Sequence, residues 1–385
     1  MIPYGRQSID DQDIQSVIEV LKSNYLTQGP QVPLFEKNVN NFCGSKFAVA
    51  FNSATSALHV ACLALGLKEN DILWTSPISF VASANCGLYC RANIDFVDIN
   101  SETFNIDISK LKEKLELAKK SDNLPKILIP VHMAGQSCDM EEIYTLSKIY
   151  GFKVIEDASH AFGASYKNTK VGSCKFSDIT VFSFHPVKII TTGEGGVATT
   201  ISSEIDEKLR KLRSHGIEKN KDNLLNQSQG DWYYEQQSLG FNYRMNDIEA
   251  ALGNSQVRKI ISFTKERNKI AKYYDDNLND LPIRKPNVMK YNYSSYHLYI
   301  IKTLEDLNGL IRKDLFNYLR SKKILVNVHY IPIHLQPYFS NLGFKEGDFP
   351  ISERYYKNAI SLPIFPKLTK DDQNFVIQTL KKFFK

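Results

Sequence analysis

The chain has 385 residues, more than one hydrophobic core usually serves, so two domains are expected. With 43% hydrophobic and 23% charged residues it reads as a folded globular protein and not a disordered one. The formal charge of +6 is scattered in short pairs such as Lys119-Lys120, Lys322-Lys323 and Lys381-Lys382, which suits an anionic small substrate but not nucleic acid, whose binders carry a concentrated basic stripe.

The six cysteines, Cys43, Cys62, Cys86, Cys90, Cys138 and Cys174, form no CxxC pair. They are expected to be buried thiols acting as small hydrophobes, with no metal site among them. The first residues, Met1 to Gln7, lack the charged-then-apolar pattern of a secretion signal, and no uncharged apolar run reaches the roughly 18 residues of a membrane span. A protein of the reducing cytoplasm, without membrane partners, is the expectation.

Ile14, Val17, Ile18 and Leu21 recur at helical spacing and predict a helix over 10–22 behind an extended arm. A polar loop, Ser23 to Pro30, ends in a Gly-Pro breaker. Helical period returns over 32–42, and Phe47 to Phe51 reads as a strand. Asn52-Ser53-Ala54-Thr55-Ser56 then opens another helix. Small residues at a helix start leave backbone N–H groups free for an anion, although Ser53 or Thr55 can equally be a plain N-cap. Further strands are expected at 72–77, 94–98 and 126–131, with a small-residue helix over 80–89 and another helix over 107–118. His132 reads as a loop histidine with its hydrogen bonds met, not as a catalytic group.

Lys153-Val154-Ile155-Glu156-Asp157 reads as a strand that delivers a carboxylate to its C-terminal end, followed by small residues. Asp157 could cap a helix at Ala158-Ser159-His160. It could also face the ring nitrogen of pyridoxal phosphate, whose protonated ring is an electron sink. The second reading gains from Lys188, which follows the apolar run Ile179 to Phe184 and precedes Thr191-Thr192-Gly193-Glu194-Gly195-Gly196. A lysine with a buried stem and a desolvated amine is a nucleophile that forms Schiff bases with carbonyls, pyridoxal phosphate included.

Beyond it, Arg210 to Gly216 has the basic residues and glycine of a helix C-terminus. Lys219 to Gln237 reads as a polar loop carrying Trp232, Tyr233 and Tyr234, and a long helix is expected from Asp247 to about Asn279. Strands over 297–303 and 324–329 with helices over 312–320 and 370–384 suggest a small α+β unit. Alternating strands and helices before that point predict a mostly parallel sheet with ligands at the carboxyl ends of its strands.

Taken together, Asn52 to Leu58, Glu156 to His160, Ser183-Phe184-His185-Pro186-Val187-Lys188, Gly195-Gly196 and Gly240-Phe241-Asn242-Tyr243-Arg244-Met245 resemble the nucleotide-sugar aminotransferases of the DegT/DnrJ/EryC1/StrS family. The resemblance runs from about Tyr4 to the C-terminus, with the motifs in order. It implies an α/β, type I (aspartate aminotransferase-like) fold: a large domain with an N-terminal arm over 1–258 and a small α+β domain over 259–385. It implies pyridoxal 5'-phosphate as cofactor, carried by Lys188. By the same resemblance, Asp157 meets the ring nitrogen, Phe80 lies against the ring, His160 meets the ring hydroxyl, and Ala54, Thr55 and Ser183 hold the phosphate. Asn242 would reach that phosphate across a two-fold homodimer interface, giving shared active sites. Tyr4, Asn24, Tyr25, Leu26, Thr27, His329 and Tyr330 become substrate-contact candidates. The implied reaction is transamination of a nucleotide-linked keto sugar with L-glutamate as donor. The Lys188 and Arg213-Ser214-His215-Gly216 segments look most like transaminases of pseudaminic acid biosynthesis, which use a UDP-linked 4-keto-6-deoxy-N-acetyl sugar. Legionaminic, perosamine and 4-amino-arabinose types are alternatives. A dehydratase relative would carry histidine in place of Lys188, and a regulatory homologue need not retain these residues.

Overall fold

In the computed structural model, which describes residues 1–304 and 309–385, a seven-stranded sheet forms the centre of the larger part. Its spatial order is Phe47–Phe51, Gly196–Thr200, Ile179–Ser183, Lys153–Asp157, Ile127–Ile129, Ile72–Thr75 and Asn93–Phe96. Gly196–Thr200 runs antiparallel to both its neighbours, and the remaining pairings are parallel. The period of two along each strand divides the sheet into two buried faces. Val49, Ile127, Ile155 and Val181 pack on one side with helices Ala54–Ala64, Ala82–Tyr89 and Ser203–Arg213. Their chain neighbours Ala48, Leu128, Val154 and Phe182 pack on the other, under helices Gln31–Cys43, Asp247–Val257, Ile108–Lys120 and Met140–Tyr150. Two apolar faces explain why these strands read as continuous hydrophobic runs.

The smaller part is a three-stranded antiparallel sheet, Ile283–Arg284, Tyr299–Thr303 and Ala359–Leu362. It is covered by helices Ile260–Asn277, Leu310–Ser321 and Lys370–Phe383 around a core that includes Tyr274, Leu319 and Leu380. Ile2–Pro3 of the arm pairs in parallel with Ile324–Leu325, and Ile2 is buried in that same core.

Three expectations are corrected. The helix expected from Asp247 to Asn279 is two helices, Asp247–Val257 and Ile260–Asn277, broken at Arg258 and Lys259. There Lys259 turns to meet Asp10 and Asp13 at 2.6 and 2.8 Å, while Gln256 donates to Asp13 at 2.7 Å. The strand expected over 324–329 ends at Leu325, because the chain leaves the sheet toward a cavity. The loop over 219–237 is closed at its base by a short antiparallel pair, Ile217–Glu218 with Glu235–Gln236. The Glu235 carboxylate ties it together, accepting from the backbone N–H groups of Leu225 and Asn226 and from Tyr233 and Gln237. All six cysteines are buried free thiols. Among the described residues, no helix is long and apolar enough to cross a membrane.

Candidate active site

The sheet register decides which side chains meet. Asp157 is the last residue of its strand, and it and its neighbour Glu156 point to opposite faces. Glu156 goes inward to a polar cluster: His132 Nε2 lies 2.7 Å away, Ser177 donates at 2.5 Å and Thr180 at 2.9 Å. Burial pushes the Glu156 carboxyl up, but these partners hold it below its ordinary value. His132 is thus a buried structural partner, as its sequence position suggested. Asp157 faces the other way, into a cavity of about 480 Å³ at the carboxyl ends of the strands. Ser83 donates to one of its oxygens at 2.6 Å and the Ser159 N–H to the other at 3.1 Å. That backbone N–H closes a turn at Ser159 and His160 and no helix follows, so the expectation that Asp157 caps a helix is corrected, and the carboxylate faces the cavity.

Lys188 enters the same cavity from the segment after strand Ile179–Ser183. That segment is held to the neighbouring strand's approach by Phe184 N–H donating to Gly195 O at 2.9 Å and Thr192 N–H donating to Phe184 O at 3.0 Å. Burial pushes the Lys188 amine down from its ordinary 10.5 to about 8, with the Asp157 charge opposing part of the fall. A lysine so shifted carries a substantial neutral fraction near neutrality and can act as a nucleophile.

The third wall is the start of helix Ala54–Ala64. Ser53 caps it, accepting from Ser56 N–H at 3.1 Å. Ala54 and Thr55 occupy its first two positions, where backbone N–H groups have no intrahelical acceptor. Both residues line the cavity. Gly196, opposite Ser183 in the register, lets this turn sit tight against the sheet: a Cβ there would lie 2.5 Å from Ala54 N. Ser183 completes the anion-facing wall.

Opposite stand His160, Phe80, Tyr4, His329 and Tyr330. His160 Nε2 lies 3.1 Å from the Tyr330 hydroxyl, while its buried Nδ1 has no hydrogen-bond partner. Burial, then the Lys188 charge, drives His160 well below its ordinary value, and His329 falls to about 3 for the same reasons. Burial raises the phenols of Tyr4 and Tyr330. The wall is therefore a set of uncharged imidazoles and phenols around one lysine.

The remaining candidates lie elsewhere. Asn242 is exposed and bridges Ser214 in the backbone, away from the cavity wall. Asn24, Tyr25, Leu26 and Thr27 are exposed in a loop docked on the start of helix Asp247–Val257, whose Asp247 accepts from Gly29 N–H at 2.8 Å and donates its own N–H to Leu26 O. Sequence reading missed Ser83, Asn327 and Glu194 as cavity or supporting residues, and His297, whose ring centroid is 4.3 Å from that of His160. Only Glu194 carried a usable signal, as the one side chain in a glycine-rich run.

These residues fit pyridoxal phosphate. A depressed lysine, a carboxylate with room for one more donor, a helix start with free N–H groups, and the unpartnered His160 Nδ1 face one space large enough for the ring and phosphate. Comparison with known proteins agrees. The DegT/DnrJ/EryC1/StrS aminotransferase family matches residues 7–381. The UDP-4-amino-4,6-dideoxy-N-acetyl-beta-L-altrosamine transaminase of Campylobacter jejuni is 38% identical over 381 residues, 99% of this chain and 96% of that protein. The spore coat polysaccharide biosynthesis protein SpsC of Bacillus subtilis is also 38% identical, covering 100% of this chain and 97% of that protein. Among solved structures, Helicobacter pylori PseC, an aminotransferase of pseudoaminic acid biosynthesis, superposes with a TM-score of 0.90 at 34% identity over 100% of this chain and 99% of that one. A Streptococcus pneumoniae protein described as a sugar aminotransferase, solved in its PLP form, gives 0.89 at 27% identity over 99% of this chain and 98% of that one. Full-length agreement in sequence and fold, around a cavity suited to the cofactor, makes this chain a member of the DegT/DnrJ/EryC1/StrS family and a sugar aminotransferase that uses pyridoxal phosphate.

Proposed function

We propose that the substrate is a nucleotide-linked 4-keto-6-deoxy sugar, UDP-linked and N-acetylated, aminated with L-glutamate as donor on the way to a pseudaminic acid-like amino sugar. The sugar assignment follows the names of the Campylobacter jejuni and Helicobacter pylori relatives. The equally similar spore coat protein supports a second reading, in which another keto sugar enters the same pocket. The observation that carries the chemistry is the meeting of Lys188 and Asp157 in one cavity with the start of helix Ala54–Ala64.

When bound, pyridoxal phosphate supplies an aldehyde carbon for the amino group and an electron sink for the charge left by proton removal. In this reading Lys188 carries the cofactor and then, as a free amine near its pKa of about 8, takes and returns the proton that the exchange moves. Asp157, oriented by Ser83 and Ser159, accepts from the protonated ring nitrogen. The Ala54 and Thr55 N–H groups and Ser183 hold the phosphate, His160 Nδ1 meets the ring hydroxyl, and Phe80 flanks the ring. Tyr4, His329 and Tyr330 face the sugar. Asn242 and the Asn24 to Thr27 loop act from a second copy of the chain in a two-fold homodimer with shared sites. Such an enzyme works where its nucleotide-sugar substrate is made, in the cytoplasm.

The test has two arms. Borohydride reduction of the holoenzyme and peptide mapping should place the cofactor on Lys188, and a different lysine would refute the assignment. Incubation with glutamate and a panel of UDP-, GDP- and TDP-linked keto sugars, read by mass spectrometry, should show the UDP-linked N-acetylated sugar aminated first. Preference for any other sugar would replace that part of the reading.

A further inference from the structure

Two carboxylates line the cavity, Asp157 and Glu194. Both oxygens of Asp157 are engaged by Ser83 and Ser159. Glu194 is different: among the described residues its carboxylate makes no hydrogen bond and no ion pair. Its backbone is nevertheless fixed. Gly193 sits at φ +85 with its N–H on Thr191 Oγ1 at 2.9 Å, and Thr192 Oγ1 donates to Glu194 O at 2.5 Å. On the far side Gly195 accepts from Phe184 and Gly196 enters the sheet. A pinned turn of glycines thus presents one side chain to the cavity, and that side chain is anionic.

The charges around it narrow what it can meet. The cavity's other duties, the helix start and the lysine, concern anions and a carbonyl. No cation pairs with Glu194 among the described residues, and Glu249 nearby is raised first by burial and then by the Glu194 charge, so the surroundings are already negative. A phosphate or a donor carboxylate beside Glu194 would be repelled. The part of a ligand that lies there has to offer hydrogens and carry no negative charge, which leaves glutamate's ammonium, the group that reacts beside Lys188, and the uncharged parts of the sugar substrate. A nucleotide-linked sugar has two such parts, its nucleoside and its sugar ring, and the ring is the one whose keto carbon has to reach Lys188, which lines the same cavity as Glu194.

We propose that Glu194 is a specificity residue that accepts a hydrogen bond from a hydroxyl or amide N–H of the keto sugar ring. This rests on the substrate reading above. In the open cavity the carboxylate is solvated at little cost. Once the sugar displaces that water, only a ligand with a donor at this position repays the desolvation, and one without it leaves a charge unpaired. Discrimination of this kind acts on the sugar and not on glutamate.

The test compares wild type, Glu194→Gln and Glu194→Ala holoenzymes with L-glutamate and a UDP-linked 4-keto-6-deoxy-N-acetyl sugar. The KM for the sugar should rise about tenfold in Glu194→Gln, which keeps an acceptor but loses the charge that strengthens it, and further in Glu194→Ala. The KM for glutamate should change less than about twofold, and the bound cofactor's absorbance should match wild type. An unchanged sugar KM overturns the proposal. So does an equal or larger rise for glutamate, which would put Glu194 at the donor's ammonium, or an altered cofactor spectrum, which would put it against the cofactor. If wild type aminates none of the UDP-, GDP- or TDP-linked sugars, the substrate reading fails and this one falls with it. Wild-type turnover with indifferent variants defeats this inference alone.

Discussion

The floor of the cavity and its rim are built in contrasting ways. On the floor, Asp157 and His160 are buried, and Asp157 is locked by two hydrogen bonds inside the chain. On the rim, taken as the exposed loops outside the cavity wall, Tyr25, Leu26, Trp232 and Leu239 stand in the open, the last two 76% and 80% exposed. The hairpin that carries Trp232 is nonetheless well bonded through Glu235, so its exposed side chains are displayed on an ordered frame. Exposed apolar groups on ordered backbone are what a partner surface covers. The contrast teaches that one chain brings Lys188, Asp157 and the start of helix Ala54–Ala64 into one cavity, and that Asn242 and the Asn24 to Thr27 loop stay outside its wall, where only the proposed second copy could bring them to it. Each prediction below strains one side of that contrast.

The largest effect belongs to Lys188. Lys188→Ala should fold, because the side chain supports no strand pairing, yet retain no covalently attached cofactor and no measurable transamination. Circular dichroism, the visible absorbance and a glutamate-dependent assay report the three. Attachment surviving the substitution would remove Lys188 from the floor.

Asp157→Asn comes next. It keeps the shape and the Ser83 contact but loses the charge facing the ring nitrogen. Removing one member of a buried charge pair costs about 3–5 kcal/mol, a hundredfold or more in rate. Steady-state kcat measures it, and a loss of only a few-fold would mean that Asp157 serves the fold alone.

Lys188 was legible in the sequence from the apolar run before it, and His160 was reached through family resemblance. Asp157 was legible because it ends a strand, where the two-residue period fixes which way it faces. Asp157 and Glu156 show this: one position decides between cavity and interior. His132 was read as a satisfied loop histidine after an apolar strand, and it meets Glu156 in the interior. Ser83 and His297 were not legible. Their roles come from long-range packing, of Ser83 on Asp157 and of His297 on His160, and nothing local marks them. The break at Arg258 was equally hidden, since it answers to Asp10 and Asp13 some 250 residues away in the chain. Rim residues were reached through family resemblance, and within one chain they lie outside the cavity wall.

Asn242 tests the rim. Loss of one hydrogen bond to a charged phosphate costs about 1.5–3 kcal/mol, so Asn242→Ala should bind the cofactor roughly ten- to a hundredfold more weakly. Mixed with Lys188→Ala, it should regain activity, because a two-fold interface gives one site of each heterodimer an intact lysine from one chain and an intact asparagine from the other. Heterodimers no more active than the average of the parents, or a monomer in sedimentation, would leave the rim without its second copy.

The smallest effect separates burial from charge on the floor. Burial brings Lys188 down from 10.5 to about 8, and Asp157 holds it from falling further. The neutral amine, which attacks the aldehyde, therefore makes up about a tenth of the lysine at pH 7 and half at pH 8. Capture of added pyridoxal phosphate by the apoenzyme, followed by absorbance, should rise roughly fivefold between pH 7 and pH 8 and at most double beyond. An unshifted lysine would keep gaining about tenfold per unit toward pH 10. The direction of a second change follows from sign alone: Asp157 stabilises the protonated amine, so Asp157→Asn should move the inflection below 8. An inflection that stayed or rose in that variant would mean that the aspartate does not act on the lysine through the cavity, whatever its place in the wall.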